Sequence, residues 1–413
     1  MASFLPLLYA LLGGVFMGTY PVPIKSKAVI EANVHPVVFQ LYKSTMVFLT
    51  GFLFLIPRAI DPTLGPVSSQ KQEYGELPLY IFTYWGIVSA AGWIPSGLTT
   101  IFAVPIVGVG LAVAVAAGSS SILSFLVFWL VMGEKVKTHS CGDGCTYYLA
   151  PVWLFLVVCG MVGMVLSPQF KNLPQWLGGG SQAQGSGDST EDDMPPLLVS
   201  SANRFDEEEK KSQPNTWANA KPYSPVWFLG LSAGMMTGIF SSVQYGAVTA
   251  GKEYEENKAH CYKDPEKCPA RLNQQFNDVG SWLVSFGIGA FTVTLTALLV
   301  LVCFRTIMRF VVKSEAYAEK RMSLCPSLHW KIMRKPGITA GTFWVLGNVF
   351  CTLAVVTGGN AIANAQMVAS QLITSGLWGV FYYGEIQKGN AIVWGFFALL
   401  TLATMILLGL EKA

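Results

Sequence analysis

Asn360, Asn364, Gln371 and Ser375 stand at i, i+4, i+11 and i+15 of an otherwise apolar stretch, which is one stripe of a 3.6-residue helix. Side-chain amides donate and accept together, the pairing capacity that vicinal hydroxyls require. Just upstream, Trp344, Asn348 and Thr352 repeat at i, i+4 and i+8, and earlier in the chain Trp93 is followed by Ser119, Ser120 and Ser124. An indole face can pack on a sugar ring. Polar groups in apolar helices also bond neighbouring helices, at about 0.6 kcal/mol each on average. That reading suits any single Ser or Thr, whereas the aligned Asn/Gln stripe is expected to line a cavity. The expected substrate-binding set is Trp93, Trp344, Asn348, Asn360, Asn364, Gln371 and Tyr20.

Two charged residues, Lys43 and Asp278, interrupt apolar runs. Either would cost about 2.5–3.5 kcal/mol at the centre of a membrane helix, so such residues face a cavity or a partner unless they snorkel to the interface. The segments "FQLYK" and "QQFND" align at an offset of 235, which makes gating or coupling the expected role of the pair. Pro21 and Pro23 break the first apolar run beside Tyr20, either as a plain helix end or as a kink lining a cavity.

The elements that must position these groups are hydrophobic. Of 413 residues, 52% are apolar and 12% charged, about half the charge of an ordinary soluble domain. Runs long enough for a hydrocarbon core of roughly 30 Å occur at 6–24, 36–56, 79–103, 106–132, 147–167, 225–249, 276–303, 336–358, 361–383 and 390–410. The first run lacks a basic leader and a cleavage site and is expected to be a span, not a signal peptide. Residues 168–224 are rich in Gly, Ser and acidic side chains and are expected to form a disordered linker. The expected fold is an all-α membrane protein of about ten helices: a first five-helix repeat over 1–167, the linker, and a second over 225–413. The halves echo one another. Gly14 and Gly18 match Gly234 and Gly238 at an offset of 220, while Trp93, Gly108, Ser119 and Glu134 match Trp344, Gly359, Ser370 and Glu385 at 251. Five helices per repeat is an odd number, so the second must enter from the opposite face. Inverted repeats result, with a substrate site near the midplane.

With these residues in view, the chain resembles the drug/metabolite transporter superfamily. The carriers of the likeness are "GTYPVPIKSK" closing the first span and Gly-Glu ending the fourth and ninth. Within that superfamily the G-x-x-x-V-P-x-K element (Gly18, Val22, Pro23, Ile24, Lys25) is similar to the transmembrane-protein-144-like, glucose/ribose-porter branch. The resemblance implies transport of a carbohydrate or related metabolite.

Cys141 with Cys145, and Cys261 with Cys268, fall in two loops of one face. His139 and His260 lie nearby, yet the spacing is not that of a compact metal site, and disulfides are the expectation on an oxidising face. The opposite face carries 16 Lys/Arg against 10, eight of them in the 304–336 loop, which places that loop and the linker in the cytosol. There Asp193, Leu197 and Leu198 fit an acidic dileucine signal for a sorting adaptor, directing the protein to endosomal, lysosomal or vacuolar membranes; the plasma membrane is the other expectation. No nucleophile–base pair or Walker-type loop occurs, so neither enzyme chemistry nor a cofactor is expected, and the net charge of +3 resides in loops and does not imply nucleic acid. The expected function is alternating-access transport of a neutral polar solute, a sugar first. A nucleobase, ureide or nucleotide-sugar carrier, or a non-transporting sensor or scaffold, is the alternative.

Overall fold

The computed structural model describes residues 4–32, 34–56, 59, 79–107, 109–141, 145–167, 224–257, 275–276, 279–311, 325–382 and 388–412. Asp278, Cys261, Cys268, Asp193, Leu197 and Leu198 lie outside them, as does the 168–224 linker except Ser224, whose hydroxyl accepts from the Trp227 amide (3.2 Å).

The fold is helical. Helix α1 (Phe4–Thr19) leads through a 3₁₀ turn (Val22–Lys25) to the short α2 (Lys27–Glu31). Then follow α3 (Pro36–Leu53), α4 (Trp85–Val107), α5 (Val109–Leu126) and α6 (Ala150–Leu166). After the linker come α7 (Pro225–Asn257), α8 (Val279–Val311), α9 (Trp330–Gly358), α10 (Asn360–Leu377) and α11 (Lys388–Gly409). The segments Pro225–Glu255, Gly280–Ile307, Trp330–Gly358 and Asn390–Gly409 are long and apolar enough to cross a membrane, and Phe4–Thr19, Val115–Val131 and Ala150–Met164 are shorter apolar helices. The outer surface agrees. Phe381 (81% exposed), Ile392 and Leu399 point outward, while Gln40, Asn360 and Asn364 are fully buried. Water would reverse that distribution; hydrocarbon favours it. The chain is an all-α integral membrane protein.

Helix ends depart from the apolar runs where water takes over. Helix α8 continues through Arg305 and Arg309, and α9 begins at Trp330 and carries Lys331, Arg334 and Lys335 before Pro336. Much of the basic 304–336 segment is therefore helix, not loop. Lys and Arg are good helix formers, so a helix need not stop at the hydrocarbon boundary.

The largest helix–helix interfaces all join the part of the chain before residue 168 to the part after residue 224. Helix α1 lies on α9 and α10, and α7 lies on α4 and α5; α3 packs on α8 and α9, α8 on α4, α5 on α10 and α6 on α11. Small residues permit the close crossings. A Cβ on Gly18 would come 2.6 Å from the Gln371 carbonyl oxygen, and one on Gly238 would come 2.8 Å from the Ser120 nitrogen. Helices α5 and α10 begin and end 251 residues apart, and each runs on into a π turn, Val127–Val131 and Trp378–Tyr382, at the same interval.

One face is tied together at the ends of these helices. Gly359 separates α9 from α10 with φ 77°, a left-handed value suited to glycine. The Glu134 carboxylate then accepts the Asn360 and Ala361 amides, both at 2.9 Å, placing negative charge at the positive end of α10. Residues His139–Ser140 (β1) and Thr146–Tyr147 (β2) form a hairpin whose Cys141 and Cys145 are joined in a disulfide. His139 Nε2 meets Glu411 Oε2 at 2.7 Å, and Lys412 Nζ donates to the Thr357 carbonyl.

Candidate functional site

Between the two parts of the chain lies a cavity of about 480 Å³, lined by residues of α1, α3, α4, α5, α7, α9 and α10. That volume is in the range of small-molecule sites. Lys43 is its only charged lining residue among the described ones.

The break after α1 builds one wall. The chain leaves the helix at Thr19, so Tyr20, Pro21 and Val22 turn into the cavity, and the proline kink is cavity lining instead of a bare helix end. Helix α3 brings Lys43. Its start is fixed by His35, whose Nδ1 accepts the Val37 amide at 3.3 Å and whose partial burial and proximity to Arg305 hold the imidazole below the usual histidine range, in the neutral form this contact uses. Lys43 is 3% exposed, and its ammonium lies 4.7 Å from the centre of the Tyr20 ring, 5.0 Å from Trp93 and 5.9 Å from Trp344. These are cation–π distances.

Trp93 and Trp344 stack on each other with ring centres 3.9 Å apart, and Phe286 joins them at 5.5 and 5.7 Å. Both indoles line the cavity, yet the faces they turn to one another are closed to a ligand. Stacking of a sugar on those faces is thus replaced by a tryptophan pair that forms the floor.

The polar stripe divides. Gln371 and Ser375 line the cavity, and Ser375 Oγ donates to the Gly18 carbonyl at 3.2 Å. Asn360 and Asn364 stand outside the lining. Asn360 Nδ2 donates to the Tyr245 carbonyl at 2.8 Å, and Asn364 Nδ2 donates to Ser120 Oγ at 3.0 Å and its carbonyl at 3.1 Å. Fifteen residues of helix extend roughly 22 Å, longer than one small cavity, so the start of α10 meets α5 and α7 instead. Asn348 also lies outside the lining, accepting at 3.2 Å from Gln244 Nε2, and Gln244 itself reaches the cavity. Ser120, read from the sequence like any single serine as a bond between helices, does bond Asn364 and Ser242 and also lines the cavity.

Ser241, Gln244 and Tyr245 of α7 complete the wall and were not signalled by the polar stripes. The same rule that marks Gln371, an amide inside an apolar run, applies to Gln244 and to the fully buried Gln40. Neither a protein-family profile nor a curated protein matches the chain. The chemistry must therefore be read from the cavity. Among the described residues, the Tyr20 and Ser241 hydroxyls, the Gln371 amide and the Lys43 ammonium line it without a hydrogen-bond partner. Together they provide donors and acceptors beside an aromatic floor, a set suited to a hydroxylated solute.

Proposed function

We propose that the protein is a secondary carrier of a small polar metabolite, a carbohydrate in the first instance, working by alternating access. The observation carrying this reading is the 480 Å³ cavity walled by both parts of the chain, with Trp93 stacked on Trp344 where they meet. We read the chain as ten spans in two inverted five-helix repeats over 1–167 and 225–413. Two features support the repeats. The exchange of partners is reciprocal, α1 with α9 and α10, α7 with α4 and α5, and the offset that relates Trp93 to Trp344 also relates both ends of α5 and α10. Residues related by a two-fold axis that touch each other must lie close to that axis, the position a midplane substrate site occupies. The proposed kinship with the drug/metabolite transporter superfamily rests on the sequence motifs, and the proposed endosomal, lysosomal, vacuolar or plasma-membrane location on the dileucine signal. Lys43 and Asp278 are proposed to serve gating or coupling.

Purified protein should be stabilised by a bound substrate, by about 2.7 kcal/mol at a hundred times its Kd. A thermal-unfolding panel of sugars, sugar acids, nucleobases and nucleotide sugars is the test. A hydroxylated solute of hexose size should raise the melting temperature most; stabilisation by nucleobases alone would replace the carbohydrate reading.

A further inference from the structure

Among its described lining residues the cavity holds a cation and no anion. Lys43 is almost fully buried, and among the described residues no carboxylate meets it; three aromatic rings are its only neighbours of electrostatic consequence. Ring faces attract an ammonium but offer no lone pair to its three N–H groups. Burying a charge is costly unless it is paired and hydrogen-bonded. One turn before it, Gln40 is fully buried against Gly97, a lining residue, and both its amide atoms lack partners. This end of the cavity holds more hydrogen-bonding capacity than the protein uses.

Resting on the carrier reading above, we infer that the transported solute carries one carboxylate, which docks on the Lys43 ammonium while its hydroxyls meet Tyr20, Ser241 and Gln371. A single anionic charge fits because the described lining offers a single cationic one. A phosphate dianion would bring a second negative charge into an aromatic enclosure with nothing to balance it. A neutral sugar would fill the hydroxyl sites and leave the ammonium unpaired. The size also suits: a hexuronic acid has the ring and hydroxyls of a hexose and adds only the carboxylate.

D-glucuronate and D-glucose, which differ in that carboxylate, make the direct comparison. Titration of purified wild-type protein by thermal shift and calorimetry should give tighter binding of glucuronate by roughly 10- to 100-fold, the value of a hydrogen bond to a charged partner. Lys43→Gln should erase that preference, bringing the glucuronate and glucose affinities together, and Lys43→Arg should retain most of it. The wild-type comparison decides the matter even where Lys43→Gln fails to fold. Equal binding of the two sugars, a preference that survives Lys43→Gln, or no binding of glucuronate would overturn the carboxylate; glucose 6-phosphate binding more tightly than glucuronate would replace it with phosphate. None of these results touches the carrier reading, which stands or falls on whether a bound solute crosses a membrane.

Discussion

Trp344→Ala should lower the unfolding free energy by about 2–3 kcal/mol and depress the melting temperature more than any other single truncation in the cavity wall. In a bilayer the surroundings of a helix are themselves apolar, so removing an indole forfeits little transfer free energy. What remains is the void, at about 24 cal/mol per Å³, or roughly 2–3 kcal/mol for a ring-sized hole of about 100 Å³. Trp344 is 3% exposed and packs on both Trp93 and Phe286, so the hole opens in the contact between the two parts of the chain. Phe381→Ala is the comparison. That ring is 81% exposed, and its removal should change stability by under about 0.5 kcal/mol. Thermal and denaturant unfolding in one detergent measures both, and equal losses at the two sites would mean that the tryptophan stack does not hold the halves together.

Gln371→Ala should weaken substrate binding by roughly 5- to 150-fold, because a solute group that bonded the amide is left unmet, at about 1–3 kcal/mol. Its stability should hardly change, since the amide has no protein partner among the described residues. Asn364→Ala should do the reverse. Its Nδ2 bonds Ser120 twice across to α5, so affinity should stay within about twofold while stability falls by roughly 0.6 kcal/mol, up to about 1.7. Calorimetric titration and thermal unfolding of the two variants separate the roles. Unchanged affinity in Gln371→Ala would remove this residue from the site and leave α10 as scaffold.

Most helix positions were legible because a membrane helix must be an apolar run of about 20 residues, and charge is expelled from it. The ends were less so. Arg305 and Arg309 read as loop, yet they extend α8, because helix propensity does not register where hydrocarbon stops. The site was legible in part. Trp93, Trp344, Tyr20, Lys43 and Gln371 all line the cavity. A stripe such as Asn360, Asn364 and Gln371 specifies one face of a helix but not which neighbour that face meets at each height. The proline break positioned Tyr20 for a reason visible in sequence, whereas the stacking of Trp93 on Trp344 depends on two distant segments meeting. Gln244 went unmarked because α7 offers no repeated polar spacing around it.

Counterflow in sealed proteoliposomes tests the central proposal most directly. Vesicles containing purified protein are preloaded with the solute that most raises its melting temperature, then diluted into a trace of the same solute carrying a radiolabel. A carrier should concentrate label inside transiently, and Gln371→Ala should slow this at low solute concentration. Label entering no faster than into protein-free vesicles, while the solute still stabilises the protein, would contradict carriage and leave a membrane receptor in its place.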